Sequence, residues 1–162
     1  ESLSYAIESG IHLEDLGYGE DNALDPHTYV GKAELVIKLQ NYMNVFNALG
    51  LCKFLLFGRI GPSKVTEWLN QVTGWSLTPE ELLTIGERLH NLKRMYNVKL
   101  GINRKDDTLP QRFLNLARND GMAAGVLPEL DKMLEEYYRL RGWDENGIPT
   151  EKKLRELGLK DI

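Results

Sequence analysis

The 162-residue chain contains a single cysteine, Cys52, which lies just past the end of an apolar helical pattern, two residues after Gly50. A cysteine thiolate can act as a nucleophile or as a metal ligand. One thiol cannot hold an iron-sulfur cluster, because such a cluster needs four ligands, so Cys52 could only be one ligand of several. Free cysteine is also among the most often buried residue types. Taken alone, the residue is therefore expected to be a small buried core side chain.

The other titratable side chains form no recognisable metal or acid-base motif. The three histidines are scattered at His12, His27 and His90, and their spacing is not that of a zinc site. Most paired carboxylates lie on predicted helices, where solvation or the helix dipole accounts for them. Asp106-Asp107 is the only acidic pair in a predicted loop that also carries basic residues.

The elements that must position these residues are all predicted to be helices. Apolar residues recur at helical spacing between Pro and Gly breaks. The predicted helices cover residues 3–9, 29–49, 63–72, 78–96, 111–117, 128–141 and a short stretch after Thr150. No stretch shows the alternation that is typical of a strand. The fold class is therefore all-α, an irregular multi-helix bundle.

Boundary residues support these helices. Gly50 stands where a left-handed C-terminal cap belongs, and Gly74 and Gly142 are predicted to end their helices. Thr78 with Glu81 forms the pattern of a capping box. Ser63 and Thr150 are predicted N-caps. The positions expected to face inward are Val30, Ala33, Ile37, Met43, Phe46, Val65, Trp68, Leu69, Val72, Leu82, Ile85, Leu89, Leu92, Tyr96, Leu130, Met133, Leu134, Tyr137, Leu140, Leu154 and Leu157.

Composition argues against several classes of function. The net charge is −4 and no basic stripe is present, so nucleic acid is not an expected partner. The longest apolar runs, such as residues 54–57, are far shorter than the roughly 18 residues of a membrane span. A lone cysteine agrees with a reducing compartment, and we expect a cytoplasmic protein. The acidic stretch 11–25 lacks the spacing of a calcium loop and is interpreted as a solvated loop.

Several blocks of sequence resemble one known family. The segment 47–54, Asn-Ala-Leu-Gly-Leu-Cys-Lys-Phe, is similar to the D-x-x-G-L-C motif of the aldehyde ferredoxin oxidoreductases, which are tungsten-pterin enzymes. Gly31-Lys32-Ala33 and Gln40 before it resemble the family's approach to the cysteine. The later blocks that resemble the family are 81–88, 104–110 with Arg112-Phe113, and 142–150. Together the matches extend over about 31–159.

The resemblance implies that this is the C-terminal helical portion of a larger enzyme. Residues 1–30 are then an irregular lead-in from a preceding domain, and 31–162 form a single C-terminal helical domain. Cys52 corresponds to the fourth ligand of a 4Fe-4S cluster, and Asn47, Gly50, Leu51 and Cys52 correspond to pterin contacts. Asn47 replaces the family's Asp, which exchanges a carboxylate for an amide. Asp106, Asp107 and Thr108 are assigned to a substrate channel.

The resemblance also implies an activity for the intact enzyme. It would oxidise an aldehyde to a carboxylic acid at a tungsten bis-pterin (molybdopterin) centre and pass electrons through the 4Fe-4S cluster to ferredoxin. Its partners would be ferredoxin and the upstream domains of the same polypeptide, and this fragment alone is predicted to be inactive and to bind no cofactor. Two alternatives remain open: a helical structural or interaction module that no longer binds cofactor, and a family member that acts on another substrate, such as an aromatic thioester.

Overall fold

The computed structural model describes residues 29–160 together with Leu16. Its elements in chain order are α1 Lys32–Ala48, a 3-10 helix Lys53–Gly58, α2 Pro62–Thr73, α3 Pro79–Lys99, α4 Gln111–Asn115, α5 Leu130–Arg141 and α6 Glu151–Glu156. In this described part the chain forms two isolated β-bridges and no strand, which confirms the all-α class. None of the described helices has the length and apolar character needed to cross a membrane. The helix predicted at 3–9 lies outside the described residues, as does the 11–25 loop except for the buried Leu16.

The chain divides into two compact units. The first consists of Glu1–Ala23 and Val36–Leu92, and the second of Leu24–Leu35 and Lys93–Ile162. The first unit contains Cys52, and the second contains the Asp106-Asp107 pair. The assignment of residues 31–162 to one domain stays a prediction.

Local capping chemistry sets several helix boundaries. The Thr78 hydroxyl accepts a hydrogen bond from the Glu81 amide at 3.2 Å, and the Glu81 carboxylate accepts one from the Thr78 amide at 2.8 Å. This reciprocal pair is the predicted capping box. Thr150 caps α6 as predicted, by accepting from the amide of Lys153. The prediction for Ser63 is wrong: Gly61 is the N-cap of α2, because Pro62 takes the first helical position, where its fixed φ fits and its missing N–H costs nothing.

The core of α1 is a stripe of four large side chains. Leu35, Leu39, Tyr42 and Phe46 are almost completely buried and are spaced 4, 3 and 4 residues apart. The tyrosine and phenylalanine rings meet edge to face with centroids 4.9 Å apart. Ala33 and Phe46 are buried as predicted. Val30 was expected to face inward but is exposed, because it lies before the helix begins.

Helix α3 does not keep one buried face. Leu82 is buried near its N-terminus, as predicted, but Leu92 and Tyr96 are exposed and the prediction for them is wrong. Asn91 and Arg94 are buried in their place. The buried side of the helix therefore changes along its length, because polar contacts of Arg94, rather than an apolar stripe, decide what its last turns bury.

Two further inward predictions are wrong, and both lie near helix ends. Val72 in the last turn of α2 and Leu140 in the last turn of α5 are exposed. In α5 the buried side chains are Tyr138 and Arg141. Tyr138 is drawn inward because its hydroxyl donates to the carboxylate of Asp107. Val65 and Leu157 are buried as predicted.

Candidate functional site

Cys52 lies in the segment 49–60, which we call the cysteine loop. The loop leaves α1 through a left-handed Gly50, whose φ is 67°. The amide of Gly50 donates to the carbonyl of Asn47 at 3.3 Å, and the amide of Leu51 donates to the carbonyl of Phe46 at 3.0 Å. These two bonds form a Schellman motif, which ends the helix and turns the chain sharply. The sequence predicted this turn.

The loop then enters a 3-10 helix that the sequence did not predict. Cys52 is extended, with φ −69° and ψ 123°, and is the N-cap of that helix. Its carbonyl accepts a hydrogen bond from the amide of Leu55 at 3.0 Å. The thiol is free and exposed. The expectation of a buried core cysteine is therefore wrong, because the turn at Gly50 carries the chain away from the apolar face of α1 before Cys52 is reached.

Both ends and the middle of the cysteine loop are held in the first unit. The Leu51 amide ties its start to α1, and the Tyr42 hydroxyl donates to the carbonyl of Ile60 at 2.7 Å to tie its end to the same helix. Between them the side chain of Leu56 is almost completely buried. The loop is thus fixed at three points, and the thiol is presented from a held backbone.

The other predicted cofactor contacts lie beside the thiol in sequence, on the same turn. Asn47 and Gly50 are exposed, and Leu51 is half-buried. The side-chain amide of Asn47 makes no hydrogen bond to any residue that the structure describes. Phe54 and Phe57 on the following 3-10 helix are exposed, with their rings stacked at 5.9 Å. The segment therefore offers a thiol, an amide side chain and an apolar surface.

A metal could be bound here only with ligands from elsewhere. Within the described residues, no group of three or more His, Cys, Asp or Glu side chains could hold a metal ion. A single exposed thiol on a held turn fits one corner of a metal cluster, since thiolates are the usual protein ligands of iron-sulfur clusters. The residues present fit the role that the resemblance implies for Cys52.

A close contact between helices holds the element that carries this turn. Gly86 of α3 approaches the backbone of α1 so tightly that a Cβ atom placed on it would lie 2.0 Å from the carbonyl oxygen of Asn41. Asn44 of α1 makes a further contact to α3, with its side-chain nitrogen 3.1 Å from Nδ1 of His90. No pattern in the sequence indicates the role of Gly86, because the neighbours of a helical glycine are known only from the folded structure.

The second unit contains a cluster of polar side chains around Asp107. Arg94 donates from both terminal nitrogens to the two carboxylate oxygens of Asp107, at 2.9 and 2.5 Å. The Tyr138 hydroxyl donates to the same carboxylate at 2.5 Å. Arg94 also donates from Nε to the carbonyl of Gly147 at 2.8 Å, and its guanidinium lies 4.9 Å from the ring centre of Trp143. We call Arg94, Asp107, Tyr138, Gly147 and Trp143 the Asp107 network.

Charge and burial fix the protonation states within this network. Burial alone would raise the pKa of Asp107, but hydrogen bonds from Arg94 and Tyr138 outweigh it and leave that pKa below its usual value. Burial would lower the pKa of Arg94, but the Asp107 carboxylate outweighs it and raises that pKa. Burial and the hydrogen bond to Asp107 both raise the pKa of Tyr138. At neutral pH the network therefore contains one carboxylate, one guanidinium and one neutral phenol.

Asp107 therefore differs in its contacts from Asp106 and Thr108, the two other residues predicted to border a substrate channel. Its carboxylate is engaged on both oxygens, whereas the side chains of Asp106 and Thr108 lie at the surface of the same turn. Asp106 accepts from the amide of Asn103 at 2.9 Å and so closes that turn. The sequence indicated a charged loop here but not the partners Arg94 and Tyr138, which come from α3 and α5.

The sequence was then compared with known proteins. Residues 2–159 match the family described as aldehyde ferredoxin oxidoreductase, domains 2 and 3. The chain is 42% identical to the tungsten-containing aldehyde ferredoxin oxidoreductase of Pyrococcus horikoshii, over 99% of this chain and 28% of that protein. It is 32% identical to the aliphatic sulfonate oxidoreductase, WOR-like subunit, of Pyrococcus furiosus, over 70% of this chain and 19% of that protein.

One solved structure is also similar. It is the active site complex BamBC of benzoyl coenzyme A reductase with 1,5-dienoyl-CoA, with a TM-score of 0.69 and 26% identity. The likeness covers 88% of this chain and 21% of that one. The chain thus spans only about a quarter of the length of the proteins that it matches.

Proposed function

The chain belongs to the aldehyde ferredoxin oxidoreductase family, a family of tungsten-containing oxidoreductases, and we propose that it supplies one corner of a cofactor site in a larger enzyme. In this proposal Cys52 is the fourth ligand of a 4Fe-4S cluster, and Asn47, Gly50 and Leu51 join it in contacting a pterin. The observation that carries the proposal is the free, exposed thiol on a backbone held at three points.

The residues of the cysteine loop have distinct tasks in this proposal. When bound, the tungsten-pterin centre and the cluster supply oxidation of an aldehyde to a carboxylic acid and transfer of the electrons to ferredoxin. The Cys52 thiolate holds one iron from a backbone that needs little rearrangement. The Asn47 amide offers one acceptor oxygen and two donor hydrogens, whereas a carboxylate would only accept. Asp106 and Thr108 border the substrate channel, and Asp107 holds their turn in place.

Cys52→Ala in the intact protein tests the ligand assignment. We expect the variant to lose the visible absorbance of the cluster and most of its iron, because alanine supplies no ligand atom. Gln71→Ala, on the exposed side of α2, is the matched control and should keep both. Full iron content and an unchanged absorbance in Cys52→Ala would refute the assignment. Iron and tungsten absent from the wild type as well would favour the helical module that binds no cofactor.

Asn47→Asp and Asn47→Ala test the pterin contact separately. An aspartate at this position restores acceptor-only chemistry, so we expect Asn47→Asp to retain at least the wild-type tungsten content. Asn47→Ala removes both donor and acceptor and should lower that content. Equal tungsten in all three proteins would show that the side chain at position 47 does not contribute to pterin binding. The iron content serves as the internal control, since it depends on Cys52.

A second candidate concerns the substrate. The likeness to the benzoyl coenzyme A reductase complex favours an aromatic thioester as the alternative to an aldehyde. The intact protein should be assayed with an oxidised dye as electron acceptor and, in separate reactions, an aromatic aldehyde or a dienoyl thioester as the substrate to be oxidised. Turnover of the aldehyde alone supports the first candidate, whereas turnover of the thioester alone supports the second. The 162-residue chain should be inactive in both assays, because Cys52 is its only cysteine.

A further inference from the structure

A groove in the second unit lies beside the short helix α4. It is open to solvent, has a volume of about 710 Å³ and is lined by Arg112, Phe113, Leu116, Ala117, Arg118, Asn119 and Asp120. That volume is within the range of small-molecule sites, roughly 300–1,000 Å³. Cys52 and its neighbours on the cysteine loop do not line it.

Hydrogen bonds of the backbone hold the walls of this groove. The amide of Phe113 donates to the carbonyl of Pro110 at 2.8 Å, and the amide of Leu116 donates to that of Arg112 at 3.1 Å. The amide of Gly125 donates to the carbonyl of the lining residue Arg118 at 2.9 Å, next to the isolated bridge between Arg118 and Ala124. The groove is therefore a defined part of the fold.

The lining combines cationic and apolar groups. Within the described part of the chain, neither the Arg112 nor the Arg118 guanidinium pairs with a carboxylate. Phe113 and Leu116 beside them are 61% and 64% exposed. A guanidinium binds an oxyanion through paired hydrogen bonds, and an exposed phenyl ring can stack on a flat apolar group. The two features together suit a molecule that is anionic at one end and apolar at the other.

The charge balance favours a carboxylate over a phosphate. Asp120 also lines the groove, so its three charged side chains sum to one positive charge. A carboxylate carries a single negative charge and neutralises that excess. A phosphate carries nearly two at neutral pH and would be left with uncompensated charge beside Asp120. The Asp120 carboxylate thus selects against more highly charged ligands.

We propose that the groove lined by Arg112, Phe113, Leu116 and Arg118 binds a small organic monocarboxylate with a flat apolar body. None of its lining residues belongs to the cysteine loop, and its binding does not depend on the aldehyde activity. If that activity holds, the ligand belongs to the chemical class of its product.

Binding of 6-fluoro-2-naphthoate to the intact protein, followed by the fluorine NMR linewidth, tests the proposal. We expect saturable binding that weakens about tenfold in Arg112→Ala and in Arg118→Ala, because each removes one charge-assisted partner. Arg139→Ala, an exposed arginine on α5 outside the groove, is the matched control and should bind as the wild type does. Phe113→Ala should also weaken binding, and by more for the naphthoate than for 4-fluorobenzoate.

Two further probes examine the carboxylate and the apolar body separately. The neutral alcohol 6-fluoro-2-naphthalenemethanol should bind at least tenfold more weakly than the acid, and inorganic phosphate should compete poorly. Equal binding of the alcohol, effective competition by phosphate, unchanged affinity in both arginine variants, or no saturable binding would each overturn the proposal. None of these measurements uses tungsten or the cluster, so their failure is distinct from a failure of Cys52→Ala to lose iron.

Discussion

The cysteine loop and the Asp107 network are two regions in which the sequence predicts function, and they use their polar groups in opposite ways. In the cysteine loop, backbone hydrogen bonds and the buried Leu56 hold the chain, and the Cys52 thiol is left exposed. In the Asp107 network, the side chains hold one another, and both oxygens of the carboxylate are already engaged.

This difference in hydrogen bonding distinguishes residues that are available to bind a ligand from residues that stabilise the fold. A group that must bind a cofactor needs free lone pairs and a fixed position. Cys52 meets both conditions, because backbone hydrogen bonds and the buried Leu56 hold the loop and leave the thiol free. Asp107 meets only the second, because both of its oxygens already accept hydrogen bonds from Arg94 and Tyr138. We infer that substitutions near Cys52 change cofactor content, whereas substitutions at Asp107 change stability.

Gly86→Ala probes the framework of the first region and should have the largest effect. The added Cβ would lie 2.0 Å from the Asn41 carbonyl oxygen, so α1 and α3 must move apart. We expect the opening free energy of the peptide 36–46 to fall by about 3 kcal/mol, as measured by hydrogen exchange and mass spectrometry on the intact protein. Gln71→Ala, exposed on α2, is the control. Unchanged exchange in Gly86→Ala would mean that the two helices are not held by this contact.

Asp107→Asn tests the second region. The substitution removes the negative charge that faces Arg94, whose side chain is only 9% exposed, and leaves a mostly buried guanidinium without its counter-charge. Because Asp107 itself is 24% exposed, solvent reduces the cost, and we expect a loss of about 2 kcal/mol in the opening free energy of the peptide 94–107.

Asp106→Asn is the matched control, one residue away on the surface of the same turn. It keeps an acceptor oxygen for the amide of Asn103 and should change stability by less than about 0.5 kcal/mol. Similar losses in both variants would show that the two carboxylates are equivalent. Iron content should stay at the wild-type level in both, since neither residue lies on the cysteine loop.

The ion pair between Asp107 and Arg94 makes stability depend on pH. The pKa of Asp107 is lower in the folded protein than its usual value of about 3.9, so the unfolded chain takes up a proton first as pH falls. The stabilisation is complete above pH 4 and is lost as pH drops from there through the folded pKa. The difference in opening free energy between wild type and Asp107→Asn should therefore be constant from pH 5 to 7 and shrink below pH 4. A difference that shrank between pH 5 and 7 would contradict this assignment.

Local signals in the sequence predicted most of the fold. Three of these features depend on neighbours within a few residues: the capping box at Thr78, the helix-ending Gly50, Gly74 and Gly142, and the lack of strands among the described residues. The buried stripe of α1 could also have been found, since its spacing of 4, 3 and 4 was present in the sequence. The predicted inward face instead consisted of Val30, Ala33, Ile37, Met43 and Phe46, which share only Phe46 with the buried stripe.

Contacts between distant residues account for what could not be predicted. Arg94 and Tyr138 lie 13 and 31 positions from Asp107, and only their meeting makes the last turns of α3 bury an arginine instead of Tyr96. For Cys52, the usual burial of free cysteine pointed the wrong way. The turn at Gly50, which the sequence did predict, is what carries Cys52 away from the buried face of α1. The proposed ligand role came from the family resemblance.

Gly50→Ala tests how much the stability of the cysteine loop depends on the left-handed conformation of Gly50. Gly50 has φ 67°, and no atom lies within 4 Å of a Cβ placed there, so the cost is conformational only. We expect the opening free energy of the peptide 47–56 to fall by about 1 kcal/mol. Gly50→Asn should cost less, because asparagine tolerates this region better. If Gly50→Ala cost as much as Gly86→Ala, the turn rather than the helix contact would be the main support of Cys52.

The smallest expected effect is at Arg59, which ends the 3-10 helix in a left-handed conformation with φ 56°. A side chain costs about 1–2 kcal/mol in this region, while glycine adds about 0.5–1 kcal/mol of backbone entropy to the unfolded state. Arg59→Gly should therefore stabilise the peptide 53–60 by about 0.5 kcal/mol in hydrogen exchange. Arg59→Ala keeps the strain and should leave stability unchanged. If Arg59→Ala were stabilising as well, the cost would come from the arginine side chain and not from its backbone conformation. Side-chain interactions would then determine the stability of the cysteine loop, as they do in the Asp107 network.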